Sequence, residues 1–346
     1  MPQTWPDVLT ALVAGQDLDA STTVWAMDQI LAGETTDSQI AGFAVALRAK
    51  GETAEELRGL ADAMLARATR LDIPGRFVDI VGTGGDRSRT VNISSMSAVV
   101  AAGSGVGVVK HGNRAASSAS GTADVFEVLG IRLDVPAARI PDVFARSGIT
   151  FCFAPVFHPS FRHTAVPRRE LGIATPFNFL GPLTNPAQPA ASAIGCADVR
   201  MAPLMAEVLA TRGHDAFVFR GEDGLDEITI TTTTRVWEVT GGEVVETVLD
   251  PTELGFELAP PASLVGADPT FNADVFRRVV GGEVSPVRDA VLLNAGAAIA
   301  AHAAAGGPLV ERLAAGVERA RASIDSGAAA ETLAKWAAAT QELAGR

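Results

Sequence analysis

Five short runs in this 346-residue chain combine residue types suited to holding anions or cations. Gly82-Thr83-Gly84-Gly85-Asp86 follows an apolar stretch. Glycines in that setting let the backbone turn sharply and aim successive N–H groups at an anion, although an ordinary glycine turn has the same composition. Asn92-Ile93-Ser94-Ser95 opens a helical pattern, where hydroxyls and free N–H groups suit a phosphate or a hydrated metal and also serve as a simple cap. Lys110-His111-Gly112-Asn113-Arg114, with Ser117-Ser118 and Ser120-Gly121-Thr122 just beyond, gathers cations and hydroxyls behind another apolar stretch, where open sheets bind ligands. Phe151 to Arg169 holds His158, His163, Arg168 and Arg169. The histidines are five apart, which is wrong for two metal ligands on one helical face, whereas an arginine there can grip a carboxylate with two parallel hydrogen bonds. Asp223-Gly224-Leu225-Asp226-Glu227 sets adjacent carboxylates at a strand-to-loop junction, which suits magnesium shared with phosphate oxygens or, more plainly, an acidic turn.

The elements around these runs divide the chain in two. Residues 1–72 read as helices only. Thr36-Asp37-Ser38-Gln39 and Thr53-Ala54-Glu55-Glu56 fit the capping-box pattern, and apolar residues follow each at helical spacing: Ile40, Phe43, Ala44 and Leu47, then Leu57, Leu60, Met64 and Leu65. After Pro74-Gly75 the pattern changes. Strands are predicted over 77–81, 106–109, 149–153, 192–196 and 216–219, and a hairpin over 236–239 and 243–248. Helices over 91–103 and 122–129 alternate with these strands, and the last seventy residues are Ala-rich helices. The implied fold class is α/β: a small N-terminal helical domain, and a larger domain over 73–346 with a mainly parallel central sheet.

Composition narrows the classes of function. The net charge is -12, so the chain is a poor general binder of nucleic acid, and any anion site must be a local basic pocket. The only cysteines, Cys152 and Cys196, form no CxxC pair and read as reduced thiols. No signal peptide is visible in residues 1–7, and the Ala/Gly/Val stretches are too short to span a bilayer, so a cytoplasmic protein without membrane contact is expected. There is no tyrosine to serve as a catalytic acid.

The order and spacing of the five runs, with Phe177-Asn178-Phe179-Leu180-Gly181-Pro182-Leu183-Thr184-Asn185-Pro186, resemble the anthranilate phosphoribosyltransferase family over nearly the whole chain. The resemblance implies transfer of the phosphoribosyl group of phosphoribosyl pyrophosphate (PRPP) to anthranilate in tryptophan biosynthesis. It implies PRPP binding by Gly82, Gly85, Asp86, Thr90, Asn92, Ile93, Ser94, Ser95, Lys110, His111, Gly112, Asn113, Arg114, Ala115, Ala116, Ser117, Ser118 and Thr122. Gly82, Asn113 and Arg168 would bind anthranilate. Ser94, Asp226 and Glu227, with Asp86 as a further candidate, would hold Mg2+, two ions per subunit. The family is further expected to form a homodimer through its helical domains, and a segment around 165–185 to return to the helical domain.

Two departures stand out. Arg87-Ser88-Arg89 replaces a segment that is usually glycine-led, and Ser95 and Thr122 differ from the commoner threonine and smaller residue at those places. Pyrophosphate on magnesium leaves readily, so the expected work of the site is charge stabilisation and alignment of the aryl amine by Arg168 and Asn113, with no nucleophilic side chain. A pyrimidine nucleoside phosphorylase-like transferase and a nucleic-acid-binding relative without catalysis are the alternative readings. The context of Asn113 and Asp226-Glu227 argues against the first, and the acidic charge and intact motifs against the second.

Overall fold

The structure, a computed structural model, describes residues 3–114 and 120–344. Four helices come first: α1 (Trp5–Val13), α2 (Ala20–Ala32), α3 (Asp37–Lys50) and α4 (Ala54–Ala66). Both capping boxes form, with Thr36 and Gln39 bonded reciprocally at the start of α3 and Thr53 and Glu56 at the start of α4. Glu56 does more than cap. Its buried carboxylate also accepts from the Leu18 N–H at 2.8 Å and from Lys50 Nζ at 3.0 Å, tying α4 to the chain before α2 and to the end of α3.

The rest of the chain builds one sheet and its covering helices. In chain order these are β1 (Phe77–Gly82), α5 (Ile93–Gly103), β2 (Gly107–Gly112), α6 (Thr122–Val128), α7 (Ile140–Ser147), β3 (Ile149–Phe153), α8 (Ala154–Phe157), α9 (Ala165–Leu171), β4 (Ala191–Gly195), α10 (Met201–Thr211), β5 (Asp215–Gly221), β6 (Thr234–Thr240), β7 (Glu243–Leu249), α11 (Pro269–Val280), α12 (Pro286–Ala303), α13 (Leu309–Asp325) and α14 (Ala328–Leu343). The strand order is β3-β2-β1-β4-β5-β6-β7. The first five run parallel and β6 and β7 antiparallel. Strands covered on both faces read as apolar runs rather than alternating ones, and β1, β2 and β4 do so apart from Asp79, Lys110, His111 and Ser192, whereas β7 at the edge exposes Val245 and Val248.

Two apolar cores flank the sheet. One joins it to α5, α7 and α11 through α14. The other merges the helical bundle with α10 and the opposite face: Phe43 and Leu47 share it with Ile194, Val218 and Trp237. Phe177, Phe179, Leu180 and Leu183 belong to this second core, and α9 packs on α3, so the segment between β3 and β4 lies against the bundle before re-entering the sheet. β2 and β3 lie on one side of β1, and β4 and β5 on the other. The carboxyl ends of β1 and β4 therefore flank the point where the strand order reverses, the place where open α/β sheets bind ligands.

Thr36→Ala is expected to lower stability to urea by about 1 kcal/mol, the worth of one cap. Glu56→Ala is expected to lower it by about 2 kcal/mol or more, because it removes the cap, leaves the buried Leu18 N–H unpaired and reduces the partners of Lys50 to Asp17 and the Gly51 carbonyl. Equal effects in equilibrium unfolding would show that Glu56 acts only as a cap.

Candidate active site

Asp226 and Glu227 lie in the loop between β5 and β6. Asp223 shapes that loop: its carboxylate accepts from the Leu225 N–H at 3.1 Å, from Thr229 Oγ1 at 2.7 Å and from Thr231 Oγ1. The third carboxylate of the acidic run is thus spent on local structure. The loop presses Asp226 against the ends of β1 and β4 so closely that a Cβ at Gly82 would overlap the Asp226 carboxylate, and one at Gly195 the Asp226 carbonyl. Gly84 N–H donates to Asp226 Oδ2 at 2.7 Å, and Ser94 N–H, at the start of α5, donates to Glu227 Oε1 at 3.1 Å. Lys110 Nζ completes the cluster, donating to the Ile80 carbonyl and lying 3.4 Å from Ser94 Oγ.

Negative charge dominates this cluster. Burial pushes the Asp226 carboxyl up to about 6, and the charge of Asp86 adds to the effect. Burial and then the charge of Asp226 push Glu227 well above the usual carboxylate range. Asp86 is raised as well, by burial and in part by Asp223. Burial lowers the Lys110 ammonium while Asp79, Glu227 and Asp226 act in the opposite sense. Among the described residues, no three His, Cys, Asp or Glu side chains converge as a complete metal site. Two adjacent carboxylates short of positive charge, beside a serine hydroxyl, nevertheless fit magnesium, which keeps several waters and takes substrate phosphate oxygens alongside one or two carboxylates.

The strand predicted to stop at Val109 continues to Gly112, because its pairing with β3 runs on through Lys110↔Phe151, His111↔Cys152 and Gly112↔Phe153. Lys110 and His111 consequently leave opposite faces of β2. Lys110 reaches α5, and His111 Nδ1 donates to the Gly181 carbonyl at 2.9 Å. His111 is buried with its ring 5.1 Å from that of His158, whose Nε2 donates to the Thr184 carbonyl at 2.8 Å. Burial holds both rings neutral, lowering His111 to about 3 and His158 to about 4. His111 Nε2 and His158 Nδ1 are left without partners among the described residues.

Asp79 and Asn185 complete this seam and were missed by the sequence reading. The ladder between β1 and β2 covers only Phe77↔Gly107 and Val78↔Val108, and beyond it side chains take the place of ladder bonds. Asp79 Oδ1 accepts from the His111 N–H at 3.0 Å, while Asn185 Nδ2 donates to Asp79 Oδ2 at 2.9 Å and to the Val109 carbonyl at 2.7 Å. Burial raises the Asp79 carboxyl to about 6. An acid inside the apolar run Phe77-Val78-Asp79-Ile80-Val81 was the available signal.

The other expected binding residues fall into place unevenly. Gly85 has a positive φ of 89° in the turn after β1, and Thr90 forms a bridge with Val265. The Asn92 side chain is held by Asn272 at 2.9 Å and by the Ser120 carbonyl at 3.2 Å, so it ties loops together. Ile93 is buried in the core, and only its backbone is open to a ligand role. Ser95 Oγ donates to Thr122 Oγ1 at 3.3 Å, linking the starts of α5 and α6. Gly112 packs close to Phe151, and the Asn113 carbonyl accepts from the Ala123 N–H at 3.3 Å. Arg114 is exposed and engaged with Asp124 and Glu127. Ala115, Ala116, Ser117 and Ser118 lie outside the described residues. Arg168 is half-buried on α9, its guanidinium 5.3 Å from the Phe161 ring centroid and without an ion pair or hydrogen bond among the described residues. Arg169 beside it is exposed.

The neutral histidines give the fold an acid sensitivity. A histidine whose folded value is depressed takes up its proton only on unfolding, so its share of stability is present above 6.5 and is lost as pH falls toward the folded value. For His158, lowered from 6.5 to about 4, the loss amounts to about 2 kcal/mol by pH 5. His158→Gln, which keeps an N–H for the Thr184 carbonyl, is expected to remove most of that loss. Parallel stability-versus-pH curves for the two proteins would show that His158 is not held neutral.

Comparison with known proteins agrees with this geometry. Residues 6–68 match the glycosyl transferase family helical bundle domain, and residues 74–330 the glycosyl transferase family a/b domain. An anthranilate phosphoribosyltransferase of Nocardioides sp. is 64% identical over 337 residues, 97% of this chain and 99% of that protein. The crystal structure of anthranilate phosphoribosyltransferase from Thermus thermophilus superposes with a TM-score of 0.90 at 40% identity, covering 97% of this chain and 99% of that one. The enzyme from Saccharomyces cerevisiae, in complex with PRPP and Mg, superposes with a TM-score of 0.89 at 27% identity, covering 99% of each chain. The chain belongs to the anthranilate phosphoribosyltransferase family.

Proposed function

We propose that this protein transfers the phosphoribosyl group of PRPP to the amino nitrogen of anthranilate, releasing pyrophosphate, with the cluster of Lys110, Ser94, Asp226 and Glu227 as its PRPP-binding centre. The observation that carries the reading is this cluster: a buried ammonium, a helix N-terminus and a carboxylate pair at the switch point of the sheet. The C1–O bond to pyrophosphate breaks with its electron pair leaving on oxygen, and the amine lone pair forms the C1–N bond and then sheds a proton. Lys110 and the amides at the start of α5 would stabilise the charge that grows on the phosphate. Mg2+ held by Asp226, Glu227 and Ser94, two ions per subunit with Asp86 as a further candidate ligand, would supply positive charge for the departing pyrophosphate. Arg168 would grip the anthranilate carboxylate, and Asn113 and Gly82 would border the same substrate, so the amine is aligned by position rather than activated by a nucleophile. The unengaged guanidinium of Arg168 supports that role.

Residues 1–72 with the returning segment 165–185 would form one unit, and the remainder of 73–346 the other, with the substrates between them. Val13, Val45, Val166 and Ile173 leave apolar surface on α1, α3 and the returning segment, which pack in succession, and this surface supports a homodimer formed through the helical domain. Buried, unpaired Cys152 and Cys196 suit a reducing cytoplasm. Among the described residues, no helix is long and apolar enough to cross a membrane.

The decisive assay follows loss of anthranilate fluorescence. Consumption is expected only when PRPP and a divalent metal are both present, and turnover of thymidine or uridine with phosphate in place of it would overturn the reading. Arg168→Ala is expected to raise the KM for anthranilate by about 10- to 100-fold, the worth of one charged hydrogen bond, and to leave PRPP binding nearly intact. Arg169→Ala should do less. A larger anthranilate defect in Arg169→Ala would reassign the carboxylate to that arginine.

A further inference from the structure

Helix α12 packs beneath β1, β4 and β5, the strands on which the carboxylate pair stands. Its buried face is Ala, Val, Leu, Ile and Gly, apart from Arg288 near its start and Asn294 in its middle, which is fully buried. A lone amide there must find partners within the core. Asn294 finds two of its three on one residue, Ile228. Its Oδ1 accepts from the Ile228 N–H at 2.9 Å, and its Nδ2 donates to the Ile228 carbonyl at 2.8 Å and to the Ala290 carbonyl at 2.9 Å. The side chain thus stands in for a strand neighbour at the residue directly after Glu227, in a loop with no ladder partner at that place. The same helix also reaches the other side of Glu227: its Val291 carbonyl accepts from Ser97 Oγ of α5, the helix whose Ser94 N–H holds the Glu227 carboxylate.

We propose that Asn294 is a positioning residue for magnesium: by clamping both backbone groups of Ile228 it fixes the Asp226–Glu227 pair in the geometry that receives the cation. The physical need is plain. Two adjacent carboxylates, Glu227 buried and Asp226 half-buried, repel each other, and a loop free to relax would turn one of them out toward water. The amide clamp carries that strain, so the pair is ready before the cation arrives. Groups that orient metal ligands without touching the metal commonly account for 10- to 100-fold in affinity, roughly the range expected here. The proposal rests on Asp226 and Glu227 being the ligands.

The test measures PRPP binding by calorimetry at a series of Mg2+ concentrations, without anthranilate, so that no turnover occurs. Asn294→Leu keeps the volume and suits the apolar surroundings but removes the clamp. It is expected to need about tenfold more Mg2+ to reach a given PRPP affinity. In a Glu227→Gln background the same substitution should add less than about twofold, because the ligand it positions is already impaired. A folded Asn294→Leu protein with the wild-type Mg2+ requirement overturns the proposal, as does a full tenfold effect in the Glu227→Gln background. Should the leucine variant not fold, Asn294→Ser serves: its hydroxyl still reaches the Ala290 carbonyl one turn back but not Ile228. A wild-type Mg2+ requirement in Glu227→Gln alone would remove the ligand assignment itself, a result distinct from either failure above.

Discussion

One ammonium, that of Lys110, lies buried among three carboxylates, the buried Asp79 and Glu227 and the half-buried Asp226. Burying charge without compensation costs more than a domain's whole margin of stability, so the surroundings of these four groups are constrained in detail. Each carboxylate has an N–H donor: His111 for Asp79, Gly84 for Asp226, Ser94 for Glu227. The donors come from three different elements, which must meet at one end of the sheet. Those bonds satisfy geometry but do not cancel the charge, since Asp79, Asp226 and Glu227 all stay raised. The remaining deficit of positive charge would suit a divalent cation.

Much of this architecture is legible in the sequence. The capping boxes fixed the starts of α3 and α4 through local bonds that tertiary packing does not overrule. Strands covered on both faces were visible as apolar runs between turn residues. The misjudged boundary lay at Lys110, where the reading ended the strand at the first charged residue. A charge inside a strand is tolerated when its partners are built into the neighbours, and those partners, the Ile80 carbonyl and Ser94, are remote in sequence. Gly82 teaches the same lesson. Its place in a glycine cluster suggested an anion-binding turn, and the structure adds that a side chain there would strike Asp226, which lies far along the chain beyond β5. Asn294 and Asp79 were overlooked because each is a single polar residue within an apolar stretch, and the periodicity that reveals a helix or strand is blind to single exceptions.

The returning segment between β3 and β4 has a second importance. It carries Arg168, packs with the helical bundle, and is sewn to the sheet by polar bonds at Gly181 and Asn185, while His158 braces it internally through the Thr184 carbonyl. Apolar packing alone would hold it against the bundle but would allow it to slide, because dispersion contacts are weakly directional. His111 and the Asp79–Asn185 pair set its register against β1 and β2. The distance between the arginine expected to hold one substrate and the cluster expected to hold the other is therefore fixed by buried hydrogen bonds. For a reaction in which alignment of two substrates is the main catalytic task, rigidity in this seam matters more than any single reactive group. The seam accordingly spends buried polar groups of its own, Asp79, Asn185 and His111, between the two halves of the site, in addition to the charged cluster itself.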